Sequence, residues 1–187
     1  MNKFLTSIYF SAISLIAFSI SAAESNQKIK LWSVGIGSYS TTVNIDGDYG
    51  DEDIEFDGLN FSTSYAFSDK MAIRANYFNL EHTDLSELES SGLDVSAHFG
   101  TGLATYGFKA YIGGGFFNDT WSSGRSEDET FSGIQLSGGF GYNWDVVSLE
   151  LIVGIRAAGD YADFVEDAGG EGDIIAVSSS LLLSARF

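Results

Sequence analysis

The chain has 187 residues with no cysteine and no proline, and its 26 acids against 9 bases give a net charge of −17. Without cysteine there is no disulfide framework and no thiolate metal site. A chain this acidic has no basic patch to offset phosphate repulsion, so nucleic acid is excluded as a partner.

Met1-Asn2-Lys3 is a short positive start, Phe4 to Ile20 is apolar with scattered serines, and Ser21-Ala22-Ala23 offers small residues for cleavage. This reads as a signal peptide over 1–23, leaving a mature domain over 24–187. A membrane-anchoring helix is the rival reading; the serines and the cleavage-like end disfavour it. No later stretch approaches the ~18 continuous apolar residues of a transmembrane helix. A mature chain that enters a membrane must therefore do so with strands.

From residue 29 onward large apolar residues alternate with small or polar ones, which places one set on each face of a strand. Leu59, Phe61, Thr63, Tyr65 and Phe67 alternate in this way with Gly58, Asn60, Ser62, Ser64 and Ala66. Eight strands are predicted, over 29–43, 54–67, 71–81, 91–103, 107–120, 130–144, 146–160 and 173–187. The connections at 68–70, 104–106 and Asp145 are short, whereas those at 44–53, 82–90, 121–129 and 161–172 are longer. Short turns on one rim and long loops on the other mark an up-and-down transmembrane barrel.

Alternation alone does not say which face meets lipid, because a soluble lipocalin-like barrel also alternates, with its apolar face inward. Three features favour lipid outside. The polar face carries both signs of charge at Arg74, Asp94, Lys109, Glu150, Arg156 and Arg186, which a closed interior tolerates only if each finds a partner. Gly, Ser and Ala crowd the same face, as a narrow eight-stranded interior needs. Aromatics on the apolar face fall near strand ends: Trp32, Phe67, Phe108, Trp144 and Phe187 at the short-turn rim, and Tyr77, Phe116 and Phe131 toward the other.

The last strand ends in Phe187, with Leu181, Leu183 and Ala185 on its face. It resembles the C-terminal strand of bacterial outer-membrane barrels, which finishes in Phe and is read by the barrel-assembly machinery. With the signal and the strand count, the mature chain resembles the small OmpA/OmpX-type barrels. Ala185 stands where such strands commonly carry an aromatic, and Ser179 interrupts the outward apolar series.

The acids cluster in four segments: five within 46–53; Glu81, Asp84, Glu87 and Glu89; Asp119, Glu127, Asp128 and Glu129; and six over 160–173. These hold nineteen of the 26 acids, and Arg125 is the only base among them. A solvated rim that keeps the loops out of the bilayer is the simpler reading. Divalent cations bridging to lipopolysaccharide are the functional one, since hard carboxylates suit Ca²⁺ or Mg²⁺. Asp51-x-Asp53-x-Glu55 is followed by Phe56 where an EF-hand loop requires Gly, so at most weak, non-stoichiometric cation binding is expected.

Asp94, Ser96 and His98 share a strand face and invite comparison with lipid-modifying barrels that use His with Ser and an acid. Alternate residues over this stretch spread across ~13 Å, so Asp94 cannot orient His98. The face is also assigned to the lumen. A hydrogen-bonded interior His98 is the expected outcome. Gly113-Gly114-Gly115 lacks the following Lys-Ser/Thr of a phosphate loop and reads as close strand packing.

The expectation is an all-β, eight-stranded antiparallel up-and-down transmembrane β-barrel in the cell outer membrane, with both termini in the periplasm. No enzyme, catalytic residue, cofactor or metal site is expected. The expected partners are outer-membrane lipid and lipopolysaccharide, and the assembly machinery through Phe187. The leading role is envelope integrity or surface contact; a narrow porin-like transporter and a lipid-modifying enzyme are the alternatives.

Overall fold

The computed structural model describes residues 29–47, 50–85, 87–123, 128–157, 159–162 and 173–187. The segment 1–23, expected to be a signal peptide, lies outside them. Eight strands form the fold: β1 (Trp32–Gly47), β2 (Gly50–Ser68), β3 (Met71–His82), β4 (Glu89–Thr101), β5 (Gly107–Ser122), β6 (Glu129–Asn143), β7 (Val147–Arg156) and β8 (Asp173–Arg186). Each pairs antiparallel with its sequence neighbour, and β8 closes on β1. No helix among the described residues is long and apolar enough to cross a membrane. The crossing elements are the strands.

The register fixes the shape. Following the rungs from Trp32 through Tyr65, Ile73, Ala97, Gly114, Leu136, Ile155 and Val177 returns to β1 at Thr42, ten residues further along. A stagger of that size in an eight-stranded barrel requires strands tilted by about 40° and leaves an interior just wide enough for side chains.

The two faces separate as alternation demands. Ile112, Phe116 and Leu136 are about 70% exposed (71%, 69% and 70%), whereas Glu150 and Arg156 are 1% and 2% exposed. Large apolar side chains outside and charged ones inside invert the arrangement of a soluble barrel, and only a lipid surround makes that stable. Trp32, Phe67, Phe108, Trp144 and Phe187 stand exposed at the short-turn end, and Tyr77 and Phe116 stand exposed toward the other.

Three expectations are corrected. The first hairpin is not joined by a long loop over 44–53: β1 and β2 stay paired from Asn44↔Asp53 to Gly47↔Gly50. The inward series Val43, Ile45, Ile54 and Phe56 carries the two-residue period past the barrel, and Asn44 Nδ2 donates to Asp53 Oδ1 at 2.7 Å. Strand β7 stops at Arg156, and a helical turn over 159–162 follows where more strand was expected. Phe131 is not on the lipid face but buried inside, in phase with Gln135 rather than with Ile134 and Leu136.

Candidate functional site

Among the described residues, chemistry-bearing side chains converge in the lumen, which is built in tiers. Nearest the long-loop end is an apolar roof. Phe56, Phe78, Trp121 and Phe131 come from strands, and Tyr161 comes from the turn after β7. Tyr161 stacks on Phe131 at 4.6 Å between centroids, and Trp121 lies 4.7 Å from the same ring. Asp160 pins this turn by accepting the Ser132 backbone N–H at 2.8 Å.

Beneath the roof is an ion triad. Arg156 donates from Nη1 to Asp119 Oδ2 at 3.3 Å, and from Nη2 to Asp94 Oδ1 at 3.2 Å and to the Tyr39 hydroxyl at 2.9 Å. The Tyr39 hydroxyl in turn donates to Asp94 Oδ2 at 2.8 Å. Asp119 also accepts from Ser90 Oγ at 2.6 Å, Tyr161 Oη at 3.1 Å and Trp121 Nε1 at 3.3 Å. Burial, with the Asp119 carboxylate beside it, holds the Tyr161 hydroxyl well above the ordinary tyrosine range, so it remains a donor. The sequence reading put Asp119 among the solvated rim acids. The structure instead buries it completely as the acceptor of four donors, because its position in β5 is in phase with the inward Phe117 and Trp121.

The next tier is neutral. Asn60 Nδ2 donates to Asn76 Oδ1 at 2.7 Å and to Ser180 Oγ at 3.2 Å. His98 lies below, its Nε2 2.9 Å from Ser96 Oγ and its ring stacked on Tyr111 at 4.4 Å. Gly113 and Gly139 make room for this pair. A Cβ at Gly113 would collide with the imidazole, and one at Gly139 with the Tyr111 ring. Asp94 faces Arg156 and Tyr39, not His98, so the three residues form no relay. Among the described residues no group of three or more His, Asp and Glu side chains is placed to hold a metal ion.

A second triad follows, in which Glu150 pairs with both Arg74 and Lys109. Arg74 also donates to the Tyr111 hydroxyl at 2.8 Å, and Lys109 to Ser148 Oγ at 2.9 Å. The floor is the turn over 102–106, folded across the short-turn end. The Asp69 carboxylate accepts the backbone N–H of Gly102, Ala104 and Thr105 and the Thr105 hydroxyl. From the other side Asn143 donates to the carbonyls of Gly102 and Thr105, and Arg186 to those of Ala104, Thr105 and Trp144. All six lumen charges named from the sequence are inside and partnered. Sequence reasoning missed the two closures; the inward parity of Phe131 and Asp119 was the available signal.

Outside the lumen, Asp53, Glu81, Asp84, Glu87, Glu89, Asp128, Glu129 and Asp160 are exposed at the long-loop end. Asp57 lies directly opposite Glu81 and Glu81 opposite Glu89 across the ladder, where like charges repel.

No protein-family model matches the chain, and no curated protein matches it. Solved structures do. Ail, the attachment invasion locus protein of Yersinia pestis, is 16% identical, with a TM-score of 0.55 over 86% of this chain and 100% of that one. It is also solved with the heparin analogue sucrose octasulfate, at a TM-score of 0.52. OprG from Pseudomonas aeruginosa gives 12% identity and 0.53, over 86% of this chain and 98% of that one. Neisserial surface protein A gives 12% identity and 0.52, over 82% and 97%. The shared property at this identity is the fold, that of the small outer-membrane barrels. With its apolar exterior and charged interior, the chain is a membrane-spanning β-barrel with that fold.

Proposed function

We propose that this protein is a non-enzymatic barrel anchor that presents an acid-rich loop surface to the cell exterior, serving envelope integrity or surface contact. The observation that carries this reading is the lumen, filled and closed at both ends by the Tyr161 roof and the 102–106 floor. A lumen capped at both ends among the described residues supports an anchor over a porin-like transporter. Against a lipid-modifying enzyme stands the burial of His98 in the lumen, away from lipid. Lipopolysaccharide contact, with weak divalent cations between its phosphates and exposed acids such as Asp57, Glu81 and Glu89, suits hard-oxygen chemistry. Engagement of the assembly machinery by the strand ending in Phe187 is part of the same proposal. The heparin analogue that Ail carries is not transferred to this chain, because a polyanion would meet an acid-rich rim.

Planar-bilayer recording of the refolded protein tests the central claim. The expected result is no stable large conductance, and a reproducible open state would overturn the anchor reading. Lipid A mass spectra are expected to be unchanged on overexpression; a His98-dependent mass shift would establish the enzyme instead.

A further inference from the structure

Among the described residues, the apolar belt is cut back at the seam where β8 closes on β1. With strands tilted by about 40°, each residue climbs roughly 2.5 Å and each step to the next strand roughly 3 Å. On this scale the outward apolar series of β2, β4, β5 and β6 ends at Leu59, Leu93, Phe116 and Ile134, about 18–21 Å above Trp32. The next outward residues there are Asp57, Ser91, Asn118 and Ser132. On β1 the series already ends at Ile36, about 10 Å up, and Ser38, Ser40 and Thr42 follow. On β8, Ser179 lies about 17 Å up, with Leu181 below it and Val177 and Ile175 above.

Ser40 stands directly opposite Ser179, their Cβ atoms about 5 Å apart, and Ser38 is the next outward residue on β1. The three hydroxyls form a polar notch that runs from the border of the belt to about 5 Å beneath it. Hydrocarbon offers a hydroxyl no partner, so the notch favours a lipid that brings polar atoms to that depth. A phospholipid carries its ester oxygens at the border, and its chains below are bare. A glycolipid of the lipopolysaccharide kind carries hydroxyl or acyloxy oxygens on the chains themselves, further down. Ser40 also stands opposite Asp57, and among the described residues β1, β2 and β8 carry no outward Lys or Arg at this height. The notch is therefore not built for a phosphate.

We propose that Ser38, Ser40 and Ser179 form a docking notch for the hydroxylated or acyloxylated chain of such a glycolipid. The serine hydroxyls donate to its ester oxygens or accept from its free hydroxyl, while Leu181 below and Val177 above flank the chain. This rests on the lipopolysaccharide contact proposed above, but on acyl-chain chemistry rather than on cations at the acids. It also gives a role to Ser179, the interruption in the outward series of the last strand.

Urea unfolding of the refolded protein in phosphatidylethanolamine–phosphatidylglycerol vesicles, with and without purified hydroxyacyl lipid A, tests the notch. EDTA is present throughout, so that cation bridges contribute nothing. Lipid A is expected to raise the midpoint of the wild type. Combined Ser38→Ala, Ser40→Ala and Ser179→Ala should leave the midpoint in phospholipid alone undiminished and lose roughly half or more of the rise. Thr63→Ala, which removes an outward hydroxyl lower in the belt, should keep the rise. An equal rise in the triple variant, or none in the wild type, would overturn the proposal. A wild-type rise seen only without EDTA would leave the cation contact standing and remove the hydroxyl notch. Lost stability of the triple variant in phospholipid alone, or a serine-dependent dimer on cross-linking there, would assign the notch to phospholipid or to a second copy instead. In nanodiscs, added lipid A is expected to shift the amide resonances of Ser38, Ser40 and Ser179 more than that of Thr63; the reverse order would refute the notch without any variant.

Discussion

The two ends of this barrel are closed by opposite means. At the long-loop end five large side chains, all buried, pack as an apolar roof. At the short-turn end the closure is mostly backbone, a five-residue turn whose N–H and C=O groups are taken up by Asp69, Asn143 and Arg186. Chain geometry accounts for the difference. Strands that run on beyond the barrel, together with the turn after β7, can deliver rings to the mouth, whereas a short turn has few side chains to spare. Its own peptide groups must then be satisfied as they enter the lumen.

Phe131→Ala should have the largest effect. It removes the ring that touches both Trp121 and Tyr161, and large-to-small changes in a packed site cost ~3–5 kcal/mol. Urea unfolding of the protein in lipid vesicles would show this as a lowered midpoint. A loss under ~1 kcal/mol would mean that the roof is not a packed core.

At the floor, Asp69→Ala strips the acceptor from three backbone N–H groups and a hydroxyl in partly exposed surroundings. A cost of about 1–3 kcal/mol is expected, together with faster amide exchange confined to 102–105. Faster exchange spread over the whole barrel would show that the floor is not a local device.

Tyr161→Phe keeps the stacked ring and deletes only the donor to Asp119, which retains three others. The loss should be smallest, about 1 kcal/mol, with the other roof contacts unmoved. The sign with pH follows from the raised tyrosine pKa. The contribution is present through neutral pH and is lost only as pH rises past the ordinary tyrosine range, so the Phe variant should narrow its deficit there. An unchanged deficit in strong alkali would place the hydroxyl outside the network.

Of the fold, strand number, faces and the six lumen charges were legible from the sequence, because a period of two is a local property that each strand declares on its own. Phe131 and Asp119 were misplaced for a different reason. One has the residue type of a belt aromatic and the other that of a loop acid, but strand parity turns both inward. What no single strand declares is register. Arg156 meets Asp94 and Asp119, and Glu150 meets Arg74 and Lys109, only because the ten-residue stagger of the closed sheet brings β3, β4, β5 and β7 to those relative heights. The inward fold of the 102–106 turn and the seating of Tyr161 are likewise decided in three dimensions. Each depends on partners at least 28 residues away in the chain, Ser132 for Asp160 among them. The sequence by itself determined a membrane barrel with charge inside. Tertiary structure decided that the barrel is closed, since closure depends on which distant side chains share a height in the lumen.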